Sequence, residues 1–149
     1  MNESAIKPPI DDDVLGHLVY NEGFNWYESE LYKDGLPLAL KIEVGDDDTI
    51  SVAFARAKLI FSNFDHYAEA AKTHAVDQLL TLKNDSWLDE DEDPVNPNRF
   101  KARMTLEELF FSRDGDVIFY HDDGDLFWGH AIEIGMNGGD VFDHADIPG

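Results

Sequence analysis

Apolar and polar residues alternate strictly through Leu38, Ala39, Leu40, Lys41, Ile42, Glu43 and Val44. A period of two sends the leucines, Ile42 and Val44 to one face of a strand and Ala39, Lys41 and Glu43 to the other. The strand therefore belongs to a sheet with one buried and one wetter face. Upstream, Val14 to Tyr20 reads as a first strand, Asn21-Glu22-Gly23 as turn chemistry and Phe24 to Lys33 as a second strand. Asp34-Gly35 then carries the signature of a two-residue type I′ hairpin, whose central residues must both take positive φ. Counting outward from that turn sets Leu31 opposite Leu38 and Tyr27 opposite Ile42. It also sets Glu28 opposite Lys41 on the wet face, a favourable cross-strand pair.

The period then changes to that of a helix. Ile50, Ala53, Phe54, Ala57, Ile60 and Phe61 form one stripe, with Asp48 as the expected N-cap. Asn63 or Asp65 is placed to cap a second helix with the stripe Ala68, Ala71, Ala75, Leu79 and Leu82, and Trp87 and Leu88 anchor the chain as it leaves. The acidic segment from Asp89 to Pro97 reads as an exposed loop. Asn96 and Pro97 have the N-cap and N1 chemistry that opens a short third helix through Arg103.

Three further strands are expected, at Leu106 to Ser112, Asp116 to His121 and Leu126 to Ile134, joined by tight turns at Asp114-Gly115 and Asp123-Gly124. Register from those turns would put Phe110, Phe119 and Trp128 in one row and leave Gly129 inside the last strand, where glycine is costly unless a neighbour needs the room. The predicted fold is α+β: two antiparallel three-strand meanders in the order β-β-β-α-α-α-β-β-β, forming one sheet or two abutting sheets with helices on one side. A flexible leader over residues 1–12 and a single domain over 13–149 complete the organisation.

Charge narrows the class of function. A formal net charge of −21 repels bare nucleic acid and anionic membranes, and it attracts a basic protein partner. Solubility or adaptation to a salty habitat would also account for it. No apolar run approaches a membrane span or a signal sequence, and there is no cysteine for a disulfide or thiolate site, which points to a cytoplasmic protein.

Candidate chemistry is sparse. His121, Asp122, Asp123 and Asp125 look like cation ligands, but the spacing is not that of a calcium loop, and Asp123-Gly124 is better explained by its turn. Glu108 and His121 could pair across strands as an acid–base couple, with structural ion pairing the commoner outcome. His130 falls on an apolar face, while His66 and His74 are eight residues apart on a polar one. There is no nucleophile elbow and no phosphate loop. No cofactor and no metal site are expected.

Within this pattern, the run from Leu79 to Glu90 (Leu-Leu-Thr-Leu-Lys-Asn-Asp-Ser-Trp-Leu-Asp-Glu) is followed by Phe100, by Met104-Thr105-Leu106 and by Asp122-Asp123-Gly124-Asp125-Leu126-Phe127-Trp128-Gly129-His130. With Asp13-Val14-Leu15-Gly16 and Trp26-Tyr27-Glu28 near the start, the chain resembles the bacterial family catalogued as domain of unknown function 2262, from Asp13 to Gly149. That resemblance brings no catalytic residues. Its members look similar to small acidic proteins that accompany bacterial polymorphic toxins, which implies an immunity-type protein that masks a basic, toxin-like partner. Asp89, Glu90, Asp91, Asp122, Asp123, Asp125, Trp128 and His130 are the expected contacts. A small enzyme or cation-binding protein built on the C-terminal histidines and carboxylates is the second expectation, and a self-associating structural or regulatory module the third.

Overall fold

The computed structural model describes residues 7–148. Its elements are β1 (Ile10–Asp12), β2 (Gly16–Asn21), β3 (Trp26–Lys33), β4 (Leu36–Glu43), α1 (Ser51–Ser62), α2 (Phe64–Ser86), α3 (Pro97–Arg103), β5 (Thr105–Phe111), β6 (Val117–Asp122), β7 (Ile132–Met136) and β8 (Phe142–Asp146). The fold class is α+β. The chain forms two compact units, one from the residues up to Phe64 with Glu108–Val117, the other from Asp65–Glu107 with Ile118 onward. Of the expected leader, residues 1–6 lie outside the described residues, and Ile10–Asp12 pair with β2.

In the first unit the hairpin chemistry predicted at Asp34-Gly35 is realised, with φ of 54° and 80°. Register follows from it: Leu31 faces Leu38, Tyr27 faces Ile42 and Glu28 faces Lys41. Leu38, Leu40, Ile42 and Val44 are buried, as their alternation requires. Helix α1 packs on β4 through Ala53, Ala57 and Ile60, and burial of these side chains supplies the main favourable term. Arg56 is buried among them because its Nε donates to the Gly115 carbonyl at 2.9 Å.

Two expectations for this unit need correction. Asp48 does not cap α1; it sits in the left-handed region at φ 65°, and the helix starts beyond Ile50 without a side-chain cap. The sheet is also not wholly antiparallel, since β5 lies parallel to β4 with Leu40 opposite Leu109 and Ile42 opposite Phe111. A parallel neighbour needs a long crossover, and the helical middle of the chain supplies one. Its consequence on the wet face is an ion pair between Lys41 Nζ and Glu108 Oε1 at 2.6 Å.

In the second unit α2 buries Tyr67, Ala71, Ala75, Leu79 and Lys83, one residue per four. Ala71, Ala75 and Leu79 of the predicted stripe are in place, but its first position belongs to Tyr67 and not to the half-buried Ala68, and its last to Lys83 and not to Leu82, which is exposed. Helix α3 has the predicted limits and cap: the Asn96 side chain accepts from the Arg99 amide and Pro97 stands at the first position. Strands β6, β7 and β8 are neighbours in that order, around a core of Phe100, Met104, Phe119, Phe127, Ile132, Ile134 and Met136.

The expected strand from Leu126 to Ile134 does not form. Turns occupy most of Gly124 to Gly129, the strand begins at Ile132, and a strand at Phe142–Asp146 follows that the alternation did not reveal. The row of Phe110, Phe119 and Trp128 therefore does not exist, and Gly129 is no strand glycine: its φ is +93° and a Cβ there would meet open space.

Candidate functional site

Asp123 explains why the segment after β6 turns instead of extending. Its carboxylate is buried and accepts hydrogen bonds from the Asp125 amide at 3.1 Å, the Phe127 amide at 2.9 Å and the Gly129 amide at 2.9 Å. A charged acceptor bonded to its own downstream backbone competes directly with a strand ladder. Asp122 begins the turn by accepting from the Gly124 amide at 3.0 Å. Leu126 and Phe127 are fully buried and fasten the loop to the core.

The loop is held in an unusual backbone state. Gly124, Asp125, Trp128 and Gly129 all take positive φ, with Trp128 at 57°. For a bulky side chain such a φ costs on the order of 1–2 kcal/mol, which the surrounding bonds must offset. Trp128 is 56% exposed. Trp87, at the exit of α2, lies against it with ring centroids 4.7 Å apart. Trp87 also meets Phe127 edge-on at 5.6 Å and His130 edge-on at 5.5 Å. The result is an aromatic platform of Trp87, Trp128 and His130, with its inner ring in the core.

A second device fixes the platform from behind. The Lys83 ammonium is fully buried; it donates to the Trp87 carbonyl at 2.7 Å and pairs with Glu92 Oε1 at 2.8 Å. Arg103 pairs through Nη1 with Glu92 Oε2 at 2.9 Å and donates from Nε to the Gly124 carbonyl at 2.9 Å. Lys83, foremost, and Arg103 hold the Glu92 carboxyl far below its ordinary range, at about 2. Glu92 thus joins the end of α2, the acidic segment, α3 and the tip of the loop. Backbone contact is just as close. A Cβ on Gly124 would clash with the Arg103 carbonyl oxygen. Gly124→Ala should therefore lower stability by about 2–3 kcal/mol through overpacking and strain; an unchanged denaturation midpoint would show that the approach is not tight.

The expected contacts separate into distinct roles. Trp128 is exposed and His130 is half-buried, both against Trp87, while Asp122 and Asp125 are exposed on the same loop. Asp89, Glu90 and Asp91 are exposed on the segment that leaves Trp87. Asp123 is buried and positions the loop. Trp87 was legible only as an anchor, and Glu92 only as one of an acidic run; nothing in spacing marks either as part of a site.

The acid–base couple of Glu108 and His121 is not formed. Glu108 pairs with Lys41, and neither ring nitrogen of the buried His121 has a hydrogen-bond partner among the described residues. Burial pushes the His121 imidazole down to about 4; nearby Lys72 adds to this, and the backbone of Ile132 and Phe119 offsets it only in part. Among the described residues no helix is long and apolar enough to cross a membrane.

The family described as "Uncharacterized protein conserved in bacteria", domain of unknown function 2262, matches residues 12–147. Germacrene A synthase from Tanacetum parthenium is 24% identical over 127 residues, 83% of this chain and 22% of that protein. The chain thus spans about a fifth of the length of that curated relative. No solved structure matches.

Proposed function

We propose that this chain, which belongs to the bacterial family of domain of unknown function 2262, is a non-enzymatic protein-binding domain of the immunity type whose partner is a basic, toxin-like protein. The observation that supports the reading best is Trp128: a large aromatic kept exposed, in a costly backbone state, by a buried carboxylate with three amide donors. Strain of that kind concentrates where a side chain must be presented, and aromatic anchors carry most of the energy in protein interfaces. Exposed Asp122 and Asp125 lie near the platform in sequence, as do Asp89, Glu90 and Asp91, so a lysine or arginine reaching Trp128 would gain cation–π and charge attraction together. A cytoplasmic location is part of the proposal.

The test is capture of the partner from the native host at low and high salt, followed by titration of the purified pair. Trp128→Ala should weaken binding by about 2 kcal/mol, or some thirtyfold, with little loss of stability. Added salt should slow association, because the exposed carboxylates act by steering. Equal binding by Trp128→Ala, or a partner whose association ignores salt, would sink the reading.

A further inference from the structure

The hairpin of β7 and β8 places Glu133 directly opposite Asp146 and Gly135 directly opposite His144. Because strand residues alternate, these four positions share one face. Two carboxylates facing each other across an antiparallel pair repel, and here they do so in a chain that already carries −21. The His144 ring reaches across toward Glu133, with Nε2 2.8 Å from Oε2. It has room because position 135 lacks a side chain: a Cβ there would stand 2.9 Å from the Cβ of His144. One donor atom from each of Glu133, His144 and Asp146 lies within 4.8 Å of the other two.

We propose that this face of the hairpin is a binding site for a divalent transition-metal ion of the zinc type, with Glu133, His144 and Asp146 as ligands. The donor set decides the class of ion. Calcium and magnesium take oxygen ligands, whereas one imidazole nitrogen with two carboxylate oxygens suits zinc and its neighbours. Around tetrahedral zinc, with ligands at about 2.1 Å, donor atoms stand about 3.4 Å apart. The Glu133–His144 pair, 2.8 Å apart, opens to that spacing as the ion takes the place of its hydrogen bond, and the third ligand lies within 4.8 Å of both. The ion also turns the repulsion between Glu133 and Asp146 into attraction. His144 and Asp146 are exposed, so the ion exchanges with solvent, and three protein ligands leave a coordination position open for water or for a group from outside. No metal site is legible in the sequence at these positions because two of its three ligands lie on β8, the strand that the alternation did not reveal.

Zinc chloride titrated calorimetrically into the full chain, in a non-chelating buffer at neutral pH, should reveal one saturable site above weak binding to scattered carboxylates. His144→Ala and Asp146→Asn, both at exposed positions, should weaken that site by at least about tenfold while leaving the circular dichroism spectrum unchanged. Gly135→Ala should weaken it as well, although it removes no ligand, because it displaces His144. In NMR spectra of the native chain, zinc should shift the His144 ring signals before those of the other histidines. A native chain with only the weak background, or a His144→Ala variant that binds zinc like the native chain, would overturn the site. Displacement of zinc by equal calcium would overturn the transition-metal assignment.

Discussion

Asp123→Ala should cost about 3–5 kcal/mol and dissolve the loop between β6 and β7. The carboxylate serves the Asp125, Phe127 and Gly129 amides, and the bond to Phe127 is buried. Alanine leaves the buried Phe127 amide unmatched, where water cannot replace the lost acceptor, and removes the acceptor of the half-buried Asp125 and Gly129 bonds. Nothing then offsets the left-handed backbone of Asp125 and Trp128, and the segment should relax toward an extended chain. Asp123→Asn should be only slightly milder, because one accepting oxygen becomes a donor facing other donors. Urea denaturation gives the loss of stability. Tryptophan fluorescence should show Trp87 and Trp128 parting before the global transition. A loss below about 1 kcal/mol would mean that the loop is held by Leu126 and Phe127 alone.

The second large effect concerns Glu92. Removing its side chain strands the fully buried Lys83 ammonium with only the Trp87 carbonyl, and breaking a buried pair in this way costs about 3–5 kcal/mol. Glu92→Ala should show that loss, while the double variant Glu92→Ala with Lys83→Met should recover much of it. If the double variant is no more stable than the single one, the bonds to Arg103 matter more than the charge on Lys83. The same group shapes the response to acid. The folded carboxyl at about 2 lies below its ordinary 4.5, so its contribution is complete above about 4.5 and is lost as pH falls toward 2. That contribution is on the order of 3 kcal/mol. His121 acts earlier. Unfolded, it takes a proton near 6.5, but its buried ring resists until about 4, so stability declines as pH falls across that interval. A stability–pH curve should therefore fall in two stages. His121→Leu should remove the upper one and Glu92→Gln the lower; a single stage unaffected by either variant would refute the assignment.

Local chemistry explains which parts of this fold can be predicted. The Asp34-Gly35 hairpin and α3 are specified by residues adjacent in sequence, through a turn that demands positive φ and through an Asn-Pro start. The register of β3 on β4 follows from the first of these with no further information. The parallel contact of β5 with β4 depends on a crossover of more than sixty residues, and no local pattern encodes it. The missed end of the chain has two causes. Asp123 bonds its own backbone and overrides the apolar run that follows, and β8 has only Phe142 as a large apolar residue, with a register shift opposite it at Gly135/Met136. The candidate site was half legible for the same reasons. Trp128 and His130 stand out by composition, but the residues that position them do not: Glu92 acts through pairs with Lys83 and Arg103, nine and eleven residues away, and Asp123 through burial and bonds to its own downstream amides.

The outermost strands carry one last consequence. Among the described residues β1 is paired on β2 and β8 on β7, each at the edge of its own unit, and such an edge is a row of amides and carbonyls on which sheets of different molecules fuse into aggregates. β1 is only Ile10-Asp11-Asp12, and β8 reads Phe142-Asp143-His144-Ala145-Asp146. A second copy adding along either row would align carboxylate with carboxylate. Part of the protein's acidity therefore guards its own borders, and concentrated solutions should stay clear for reasons that no partner need explain.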